Sequence, residues 1–346
     1  MSPFLHLHAA HCESGVTAAL LRHAGLELSE PLAFGLGSGL FFCFPPFVRV
    51  MGMPLVSFRS YPGTVFQLAC RRLGVQTEQR KYASEARGIE ELDQLLARGV
   101  AVGVQTNMFW LSYFPREFRS QFNGHNLIAL ARRGDVYELS DPMLKEPVEL
   151  DADLLRRSRF SKGLLAPRGA LYFPLRIPAK VDLGAAVVAA VRDNARKMLA
   201  PFPIIGVRGI RRLARHVRAW ARREDEKRQR LLLGHVVRMQ EEVGTGGAGF
   251  RFMYAAFLQA AGELLGHAPY LEASERMTAA GDAWRAGFAG TAARIMKGHP
   301  RPGEDVESAA ELLLDCARRE EELFRFLLAN TPRTASVPVA HALASR

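Results

Sequence analysis

Cysteine is scarce in this sequence, and its spacing excludes two common uses of the residue. Four cysteines occur in 346 residues, and no two of them form a CxxC pair. Structural zinc sites need closely spaced ligands and disulfide frameworks need many cysteines, so we predict neither a metal site nor a disulfide scaffold. Scattered cysteines are typical of a reducing compartment, and we expect a cytoplasmic protein. The four residues are Cys12, Cys43, Cys70 and Cys316.

Long apolar runs are missing as well. The most apolar stretch, residues 32–53, is interrupted by glycines and by Pro45 and Pro46, whereas a membrane-spanning helix needs about 18 apolar residues or more. The chain begins without a basic stretch followed by an apolar segment, so we expect no signal peptide. We predict that the protein does not cross a membrane, and we interpret residues 32–53 as a loop-rich buried segment.

Acidic residues are outnumbered by basic ones, which gives a net charge of +11. Residues 208–230 hold ten of the basic side chains. This stretch has no series of interleaved aromatic residues and no known DNA-binding motif, so nucleic acid is not expected as a partner. It is either a solvated helix face or a docking surface for an acidic protein. The candidate docking residues are Arg208, Arg211, Arg215, Arg218 and Arg222.

A cysteine at the start of a predicted helix is the most informative residue of the chain. Cys12 precedes apolar residues at helical spacing in 16–23, and Gly25 marks the end of the helix. The N-terminus of a helix favours a thiolate over a thiol, because the helix dipole and the N–H groups there stabilise negative charge. Cys12 is therefore a candidate nucleophile, although a lone cysteine is also an ordinary small buried residue.

A histidine and an aspartate follow at the ends of two predicted strands. His125 begins an apolar strand-like run, and Asp141 ends the next one after a turn at 132–135. Either residue alone has an ordinary interpretation, since Asp-Pro often opens a turn. Two adjacent antiparallel strands would hold the imidazole and the carboxylate side by side. Together with Cys12 they predict a Cys-His-Asp site, in which the imidazole activates the thiolate and the carboxylate orients the imidazole.

The pattern of helices and strands predicts two domains. Residues 1–177 alternate helices with short strands, which indicates an α+β domain with an antiparallel sheet. A helix-initial Cys followed by a strand-initial His and a strand-terminal Asp is the chain order of the papain-like fold, which we therefore expect for this domain. Residues 178–332 have helical periodicity almost throughout, which indicates an all-α domain. Residues 333–346 are small and polar, and we expect a flexible tail.

Several short segments resemble the N-terminal domain of the BtrH-like family, which is named after the butirosin-biosynthesis acyltransferase. The resemblance covers roughly residues 4–176. It implies a papain-like fold related to bacteriocin-processing peptidases. The part after it resembles a helical domain of undefined function that often accompanies this module. The segments are His11-Cys12-Glu13-Ser14, the glycine-rich residues 28–39, Gly124-His125 and Ser140-Asp141-Pro142.

The resemblance also implies an activity, which is transfer of an acyl group from an acyl carrier protein to an amine or hydroxyl acceptor. Cys12 would be the nucleophile, His125 the general base and acid, and Asp141 the residue that orients His125. No bound cofactor is expected, since the acyl group is carried on the phosphopantetheine of the carrier. The acceptor would be a small or lipid-like molecule from secondary-metabolite or lipid biosynthesis.

Other residues are candidates for binding roles. His6 lies six residues before Cys12, the offset of the oxyanion-hole glutamine in papain-like proteases, and could assist the Cys12 N–H; alternatively it belongs to a polar N-terminal run. The aromatic loop 107–124 is either a hydrophobic flap or a wall of the acyl channel. Its candidate substrate contacts are Asn107, Trp110 and Tyr113.

A glycine-rich segment at 244–249 precedes another predicted helix. It lacks a GKS or GKT ending and no strand precedes it, so a helix–helix turn is expected rather than a nucleotide site. Arg251 directly after it is a candidate contact for a substrate or pantetheine phosphate.

Two other functions compete with acyl transfer. The same chemistry with water as the acceptor would make the protein a cysteine hydrolase, either a thioesterase or a peptidase. A scaffold that binds a carrier protein without catalysis is the third hypothesis, and the complete Cys-His-Asp set argues against it. The sequence leaves open whether the protein forms a homodimer.

Overall fold

The computed structural model describes residues 4–50, 52–243 and 247–340. These residues form two compact units, each built from separate stretches of the chain. The first unit comprises the described residues within 4–33, 62–182 and 338–340. The second comprises those within 34–61 and 183–337.

Helices and short strands alternate through residue 182, as predicted. In chain order the elements are α1 (Cys12–His23), α2 (Glu30–Leu36), β1 (Leu40–Cys43), β2 (Arg49–Val50), β3 (Met53–Pro54), β4 (Ser57–Arg59), α3 (Thr64–Arg72), β5 (Gln76–Arg80), α4 (Glu85–Ala97), β6 (Val102–Thr106), two 3-10 turns (Met108–Trp110 and Arg116–Phe118), β7 (His125–Arg133), β8 (Val136–Ser140), β9 (Val148–Asp151), α5 (Ala152–Arg159), β10 (Leu171–Arg176) and β11 (Lys180–Asp182).

The rest of the chain is almost entirely helical, also as predicted. Its elements are α6 (Leu183–Met198), α7 (Gly206–Arg223), α8 (Glu226–Glu241), a 3-10 turn (Ala248–Phe250), α9 (Arg251–Leu265), α10 (Ala268–Asp282), a π-helical turn (Ala283–Ala289), α11 (Gly290–Met296), α12 (Val306–Asn330) and β12 (Pro338–Ala340).

A six-stranded antiparallel sheet organises the first unit, with strand order β5-β10-β6-β7-β8-β9. Successive side chains of a strand point to opposite faces of the sheet. Alternate residues of β6, β7 and β8 belong to one apolar core and therefore share one face, namely Val102 and Val104, Leu127 and Ala129, and Tyr137 and Leu139. That face packs against α4 and α5, while α1 contacts β7. The core includes Leu92, Val102, Leu127, Leu139 and Leu155.

Helix α1 begins and ends where local signals predict. The His11 side chain accepts a hydrogen bond from the backbone N–H of Ser14 and so caps the first turn. Gly25 follows the last turn with a φ of 92°, and the N–H of Leu26 bonds back to the carbonyl of Leu21. Left-handed backbone after a helix costs least at glycine, so the helix that carries Cys12 has a defined length.

The predicted domain boundaries differ from the structure at residues 34–61. The sequence placed this stretch in the α+β domain as a loop-rich segment, but it forms β1 to β4 and belongs to the helical unit. The Asn194 side chain donates a hydrogen bond to the Leu40 carbonyl at 2.8 Å. The rings of Phe42 and Phe58 each lie against Trp284. Apolar burial against distant helices therefore decides the membership of this stretch.

The predicted flexible tail is also corrected in part. Pro338–Ala340 pairs antiparallel with Lys180–Asp182 and covers the open edge of β11. Backbone N–H and C=O groups of an edge strand need partners, and this pairing supplies them. Residues 341–346 lie outside the described residues.

Candidate active site

The four residues His11 to Ser14 together hold the start of α1. His11 caps the helix through Ser14. The fully buried Glu13 carboxylate accepts a hydrogen bond at 2.8 Å from the N–H of Val65, in the first turn of α3. Because orphan N–H groups at a helix start need acceptors, each of these side chains has a positional role, and Cys12 is left to face the sheet.

A second carboxylate holds the residues just before the cysteine. Glu30 accepts hydrogen bonds from the backbone N–H groups of Ala10 and His11, at 2.9 and 2.8 Å, and from the Ser14 hydroxyl at 3.0 Å. These three hydrogen bonds to the Glu30 carboxylate restrict the movement of the chain segment just before Cys12.

The imidazole and the carboxylate predicted from the sequence are in direct contact. His125 Nε2 donates to Asp141 Oδ2 at 2.7 Å, and the strands that carry them, β7 and β8, are antiparallel neighbours as expected. This bond leaves Nδ1 as the ring nitrogen available to Cys12, whose thiol also hydrogen-bonds to the imidazole. All three side chains are buried, with 4% of Cys12 exposed.

Charge coupling shifts the pKa of both His125 and Asp141. Burial alone would lower the pKa of His125, but the charge and hydrogen bond of Asp141, with a smaller effect of Cys12, raise it to about 10. Burial alone would raise the pKa of Asp141, yet the His125 charge and hydrogen bonds keep it below its usual value. The site therefore favours an imidazolium paired with a carboxylate at neutral pH.

Two further donors hold the Asp141 carboxylate. The Tyr113 hydroxyl donates to Oδ2 at 2.7 Å, the same oxygen that accepts from His125, and the N–H of Met143 donates to Oδ1 at 3.0 Å. Burial, and then the nearby Asp141 charge, raise the pKa of Tyr113 well above its usual value, so the phenol keeps its proton. Tyr113 was expected to contact substrate, and the structure instead assigns its hydroxyl to Asp141.

His6 does not fit the predicted oxyanion role. Its Nδ1 hydrogen-bonds to the Ser140 hydroxyl at 2.7 Å and its Nε2 to the Leu144 carbonyl at 3.0 Å. Both ring nitrogens are therefore engaged with the turn that carries Asp141, which argues against the predicted oxyanion role. The N–H of Ala9 bonds to the Pro142 carbonyl at 2.7 Å, so the segment before Cys12 lies along this turn.

Asn107 is engaged inside the aromatic loop. Its Oδ1 accepts from the N–H of Phe109 at 2.9 Å, and its Nδ2 donates to Asn123 at 2.6 Å and to Gln121 at 3.2 Å. These bonds cap a 3-10 turn and tie the two ends of the loop together, which argues against the predicted substrate contact. Trp110 is half-buried and lies under the Arg157 guanidinium, with 5.1 Å from its carbon to the ring centre.

Arg251 is also occupied, within the helical unit. Its guanidinium forms a fully buried two-point ion pair with Glu320, at 2.8 and 3.0 Å, and donates to the Gly249 carbonyl at 2.7 Å. Trp284 donates to the same glutamate at 2.6 Å. A phosphate would have to displace Glu320, which argues against the predicted phosphate contact. Residues 244–246 of the predicted helix–helix turn lie outside the described residues.

The basic stretch on α7 is largely matched by acidic residues on α12, which packs against it. Arg211 pairs with Glu321, Arg218 with Glu311, and Arg222 with Glu307. Arg208 donates to the Pro201 carbonyl at 3.0 Å, and Arg215 is exposed. Three of the five predicted docking arginines thus act within the unit, which favours the solvated-face interpretation.

The remaining cysteines have a different environment from Cys12. Burial raises the pKa of Cys70 to about 12, and it also raises the pKa of Cys43 and of Cys316, the last with a contribution from Glu320. A raised pKa suppresses the reactive thiolate. Of the four cysteines, Cys12 is the one with a histidine and an aspartate in line.

Sequence reasoning missed three contributors to this site. Glu13 is part of the His11-Cys12-Glu13-Ser14 motif that suggested the site. Its position directly after Cys12 could therefore have identified it as a contributor. Glu30 and the Tyr113–Asp141 bond had no local signal, because their partners lie 16 to 28 residues away along the chain. Within 4–50, 52–243 and 247–340 there is no cluster of three metal-ligating side chains and no helix both long and apolar enough to cross a membrane.

A cysteine at the first turn of a helix, facing a histidine on an antiparallel sheet, is the arrangement of papain-like cysteine enzymes. Residues 11–142 match the family model described as Butirosin biosynthesis protein H, N-terminal. Residues 153–327, just over half of the chain, match a Domain of unknown function (DUF4872). The chain therefore belongs to the family that this second model defines, and its N-terminal part is similar to the N-terminal domain of butirosin biosynthesis protein H.

Among solved structures, a protein from Bacillus anthracis described as a C39-like peptidase is similar at 16% identity, with a TM-score of 0.36. The match covers 51% of this chain and 98% of that one. No curated protein matches the chain.

Proposed function

We propose that this protein is a cysteine-dependent acyltransferase that takes an acyl group from the phosphopantetheine thioester of an acyl carrier protein and gives it to an amine or hydroxyl. The observation that carries the proposal is the line of contacts from Cys12 through His125 to Asp141, with 2.7 Å between the last two. A thiolate paired with an imidazolium is a good nucleophile toward a thioester at neutral pH.

In the first half-reaction, the Cys12 sulfur attacks the thioester carbonyl carbon. A new C–S bond forms to Cys12, the bond to the pantetheine sulfur breaks, and the leaving thiolate takes the proton from the His125 imidazolium. The developing oxyanion needs preorganised donors. The backbone N–H of Cys12, in the first turn of α1, is suited to be one of them.

In the second half-reaction, the acceptor attacks the acyl-enzyme. Neutral His125 takes the proton from the amine or hydroxyl as its heteroatom bonds to the acyl carbon, and the Cys12 sulfur leaves as a thiolate. The site returns to the thiolate–imidazolium pair. Asp141 keeps the imidazole in one orientation throughout and stabilises its charged form without taking the proton.

One observation argues against a peptidase, and the family resemblance favours transfer over hydrolysis. The Cys12 side chain is only 4% exposed, which suits a slender thioester arm better than an extended polypeptide. The resemblance to the butirosin-biosynthesis acyltransferase supports the same choice. Hydrolysis, as a thioesterase or peptidase, remains the competing activity, and the next experiment separates the two.

Intact-mass measurement after mixing with an acyl thioester tests the proposal. We expect an adduct of one acyl group on the wild type and on Cys43→Ala, and none on Cys12→Ala. The control is matched because Cys43 is a half-buried cysteine with a raised pKa. Discharge by an added amine indicates a transferase. Rapid discharge by water alone would identify a hydrolase, and an adduct that survives in Cys12→Ala would move the nucleophile elsewhere.

A further inference from the structure

An exposed aromatic surface flanks the candidate active site in the first unit. Within the loop between β6 and β7, Phe109 is 42% exposed and Phe118 is 61% exposed. Phe118 lies between Arg116 and Arg119 in the chain, and both of these line the same depression as Phe109. Clustered exposed apolar side chains are typical of a binding surface. This depression, of about 420 Å³, is lined by Phe109, Trp110, Ser112, Arg116, Arg119 and Leu154.

A second depression of about 330 Å³ shares Trp110 with the first. Much of its wall is formed by the end of α5 and the residues that follow it, and α5 packs against the 3-10 turn that carries this tryptophan. Arg157 and Lys162 are among its lining residues. The Trp110 side chain therefore lines both depressions and separates them. We call the surface formed by Phe109, Trp110, Arg116, Phe118, Arg119 and Lys162 the Trp110 face.

The Trp110 face is strongly basic. Its two depressions are lined by one acidic side chain, Glu85, which pairs with Arg156, and by five basic ones: Arg116, Arg119, Arg156, Arg157 and Lys162. Glu117 and Asp153 are acidic neighbours of these residues in the chain. Asp153 is already paired with two arginines of α5. In the part of the chain that the structure describes, neither Arg116 nor Arg119 forms an ion pair, and the buried Nε of Arg119 has no hydrogen-bond partner.

This distinguishes the Trp110 face from the basic stretch on α7. There, three arginines pair with glutamates of α12, which cancels much of the local field. Charges that are not paired within the protein attract an acidic partner more strongly, and neighbouring aromatic side chains supply the apolar contact that such interfaces need.

The Trp110 face is also connected to the candidate active site. Ser112 lines the larger depression, and the next residue, Tyr113, donates its hydroxyl to Asp141 at 2.7 Å. The ring of Phe114 lies edge-on to His125, with 5.9 Å between the ring centres. A protein seated on this face would lie beside the catalytic groups.

We infer that the Trp110 face, rather than α7, docks the acidic carrier protein that delivers the acyl thioester; this inference rests on the proposed function. Arg116, Arg119 and Lys162 pair with carboxylates of the carrier. Phe109, Trp110 and Phe118 contact its apolar surface.

Binding of a holo acyl carrier protein without an acyl group tests the inference independently of the chemistry. The test variant is Arg116→Glu/Arg119→Glu, and the matched control is Arg208→Glu/Arg215→Glu on α7. We expect the Kd to rise about tenfold in the first variant and less than about twofold in the second. Thermal unfolding of both should match the wild type. If charge reversal disturbs folding, Arg116→Gln/Arg119→Gln should still weaken binding, to a smaller extent.

The outcomes separate this inference from the proposed function. Equal weakening by both variants, or a larger effect on α7, overturns the docking site. Failure of the wild type to bind the carrier also overturns the docking site. In that case, formation of an acyl-enzyme from a free acyl-N-acetylcysteamine would still support the cysteine chemistry. Binding lost only in the Arg116/Arg119 variants, but without any acyl-enzyme, would support the surface and refute the acyltransferase.

Discussion

At the scale of the residue, the Asp141 carboxylate is fixed by three hydrogen-bond donors. His125 and Tyr113 share its Oδ2, and the N–H of Met143 binds Oδ1. The three donors favour the ionised carboxylate and fix its orientation. A carboxylate held in this way can orient the imidazole toward Cys12 without titrating near neutral pH.

Tyr113→Phe should test this positioning role. Hydrogen bonds to a charged group are worth roughly 1.5–3 kcal/mol, so we expect kcat/KM for a free acyl thioester to fall about tenfold. The depressed pKa of Asp141 should also rise on loss of a donor. Since the carboxylate is lost as pH falls through its pKa, the acid limb of the pH–rate profile should move to higher pH.

Tyr137→Phe is the matched control for this change. Tyr137 donates to Asp93 at 2.6 Å in the same unit, so its loss removes an equivalent tyrosine–aspartate bond away from the site. The control should lower stability without moving the acid limb. An unchanged pH profile in Tyr113→Phe would reduce this residue to a structural role.

At the scale of the element, the position of α1 depends on a close approach at Gly15. A Cβ at this position would lie 2.6 Å from the Ala9 Cβ and 2.9 Å from the Pro142 Cβ. The first turn of the helix is therefore packed directly against the turn that carries Asp141. The absence of a side chain at Gly15 allows Cys12 and Asp141 to be held in one arrangement.

Gly15→Ala should therefore lower activity even though alanine is the better helix former. The propensity gain is about 1 kcal/mol, but the added methyl group must push α1 away from the Asp141 turn. Since displacements of about 1 Å can cost up to 100-fold in rate, we expect kcat to fall at least tenfold. Gly287→Ala is the control, because its nearest neighbour would lie at 3.8 Å. Full activity in Gly15→Ala would show that the close contact between α1 and the Asp141 turn is not needed.

At the scale of the whole molecule, each of the two units has its own apolar core. The second contains a buried ion pair, Arg251 with Glu320, on which Trp284 also converges. Breaking a buried pair leaves an uncompensated charge, whereas exposed pairs contribute little.

Glu320→Gln should destabilise the protein by about 3–5 kcal/mol, measured as the free energy of unfolding in urea. Glu307→Gln is the matched control, since it removes an exposed pair with Arg222 and should cost less than about 1 kcal/mol. A double variant, Arg251→Met/Glu320→Leu, should recover part of the loss because no buried charge remains. Similar losses for Glu320→Gln and Glu307→Gln would contradict this account.

Local signals in the sequence were enough to nominate the central residues. A helix start at Cys12, a strand start at His125 and a strand end at Asp141 depend on periodicity and on capping residues within a few positions of each. For the same reason the helices after residue 183 could be predicted, and so could the strands of the main sheet other than β9.

Tertiary structure alone decided what the long polar side chains do. His6 binds residues more than 130 positions away, Arg251 is paired across 69 positions, and Tyr113 reaches across 28. The arginines of α7 meet glutamates on α12 for the same reason. A charged or hydrogen-bonding side chain has the same local pattern whether it meets a ligand, water or a distant partner. The difference lies in which segments the burial of apolar surface brings together.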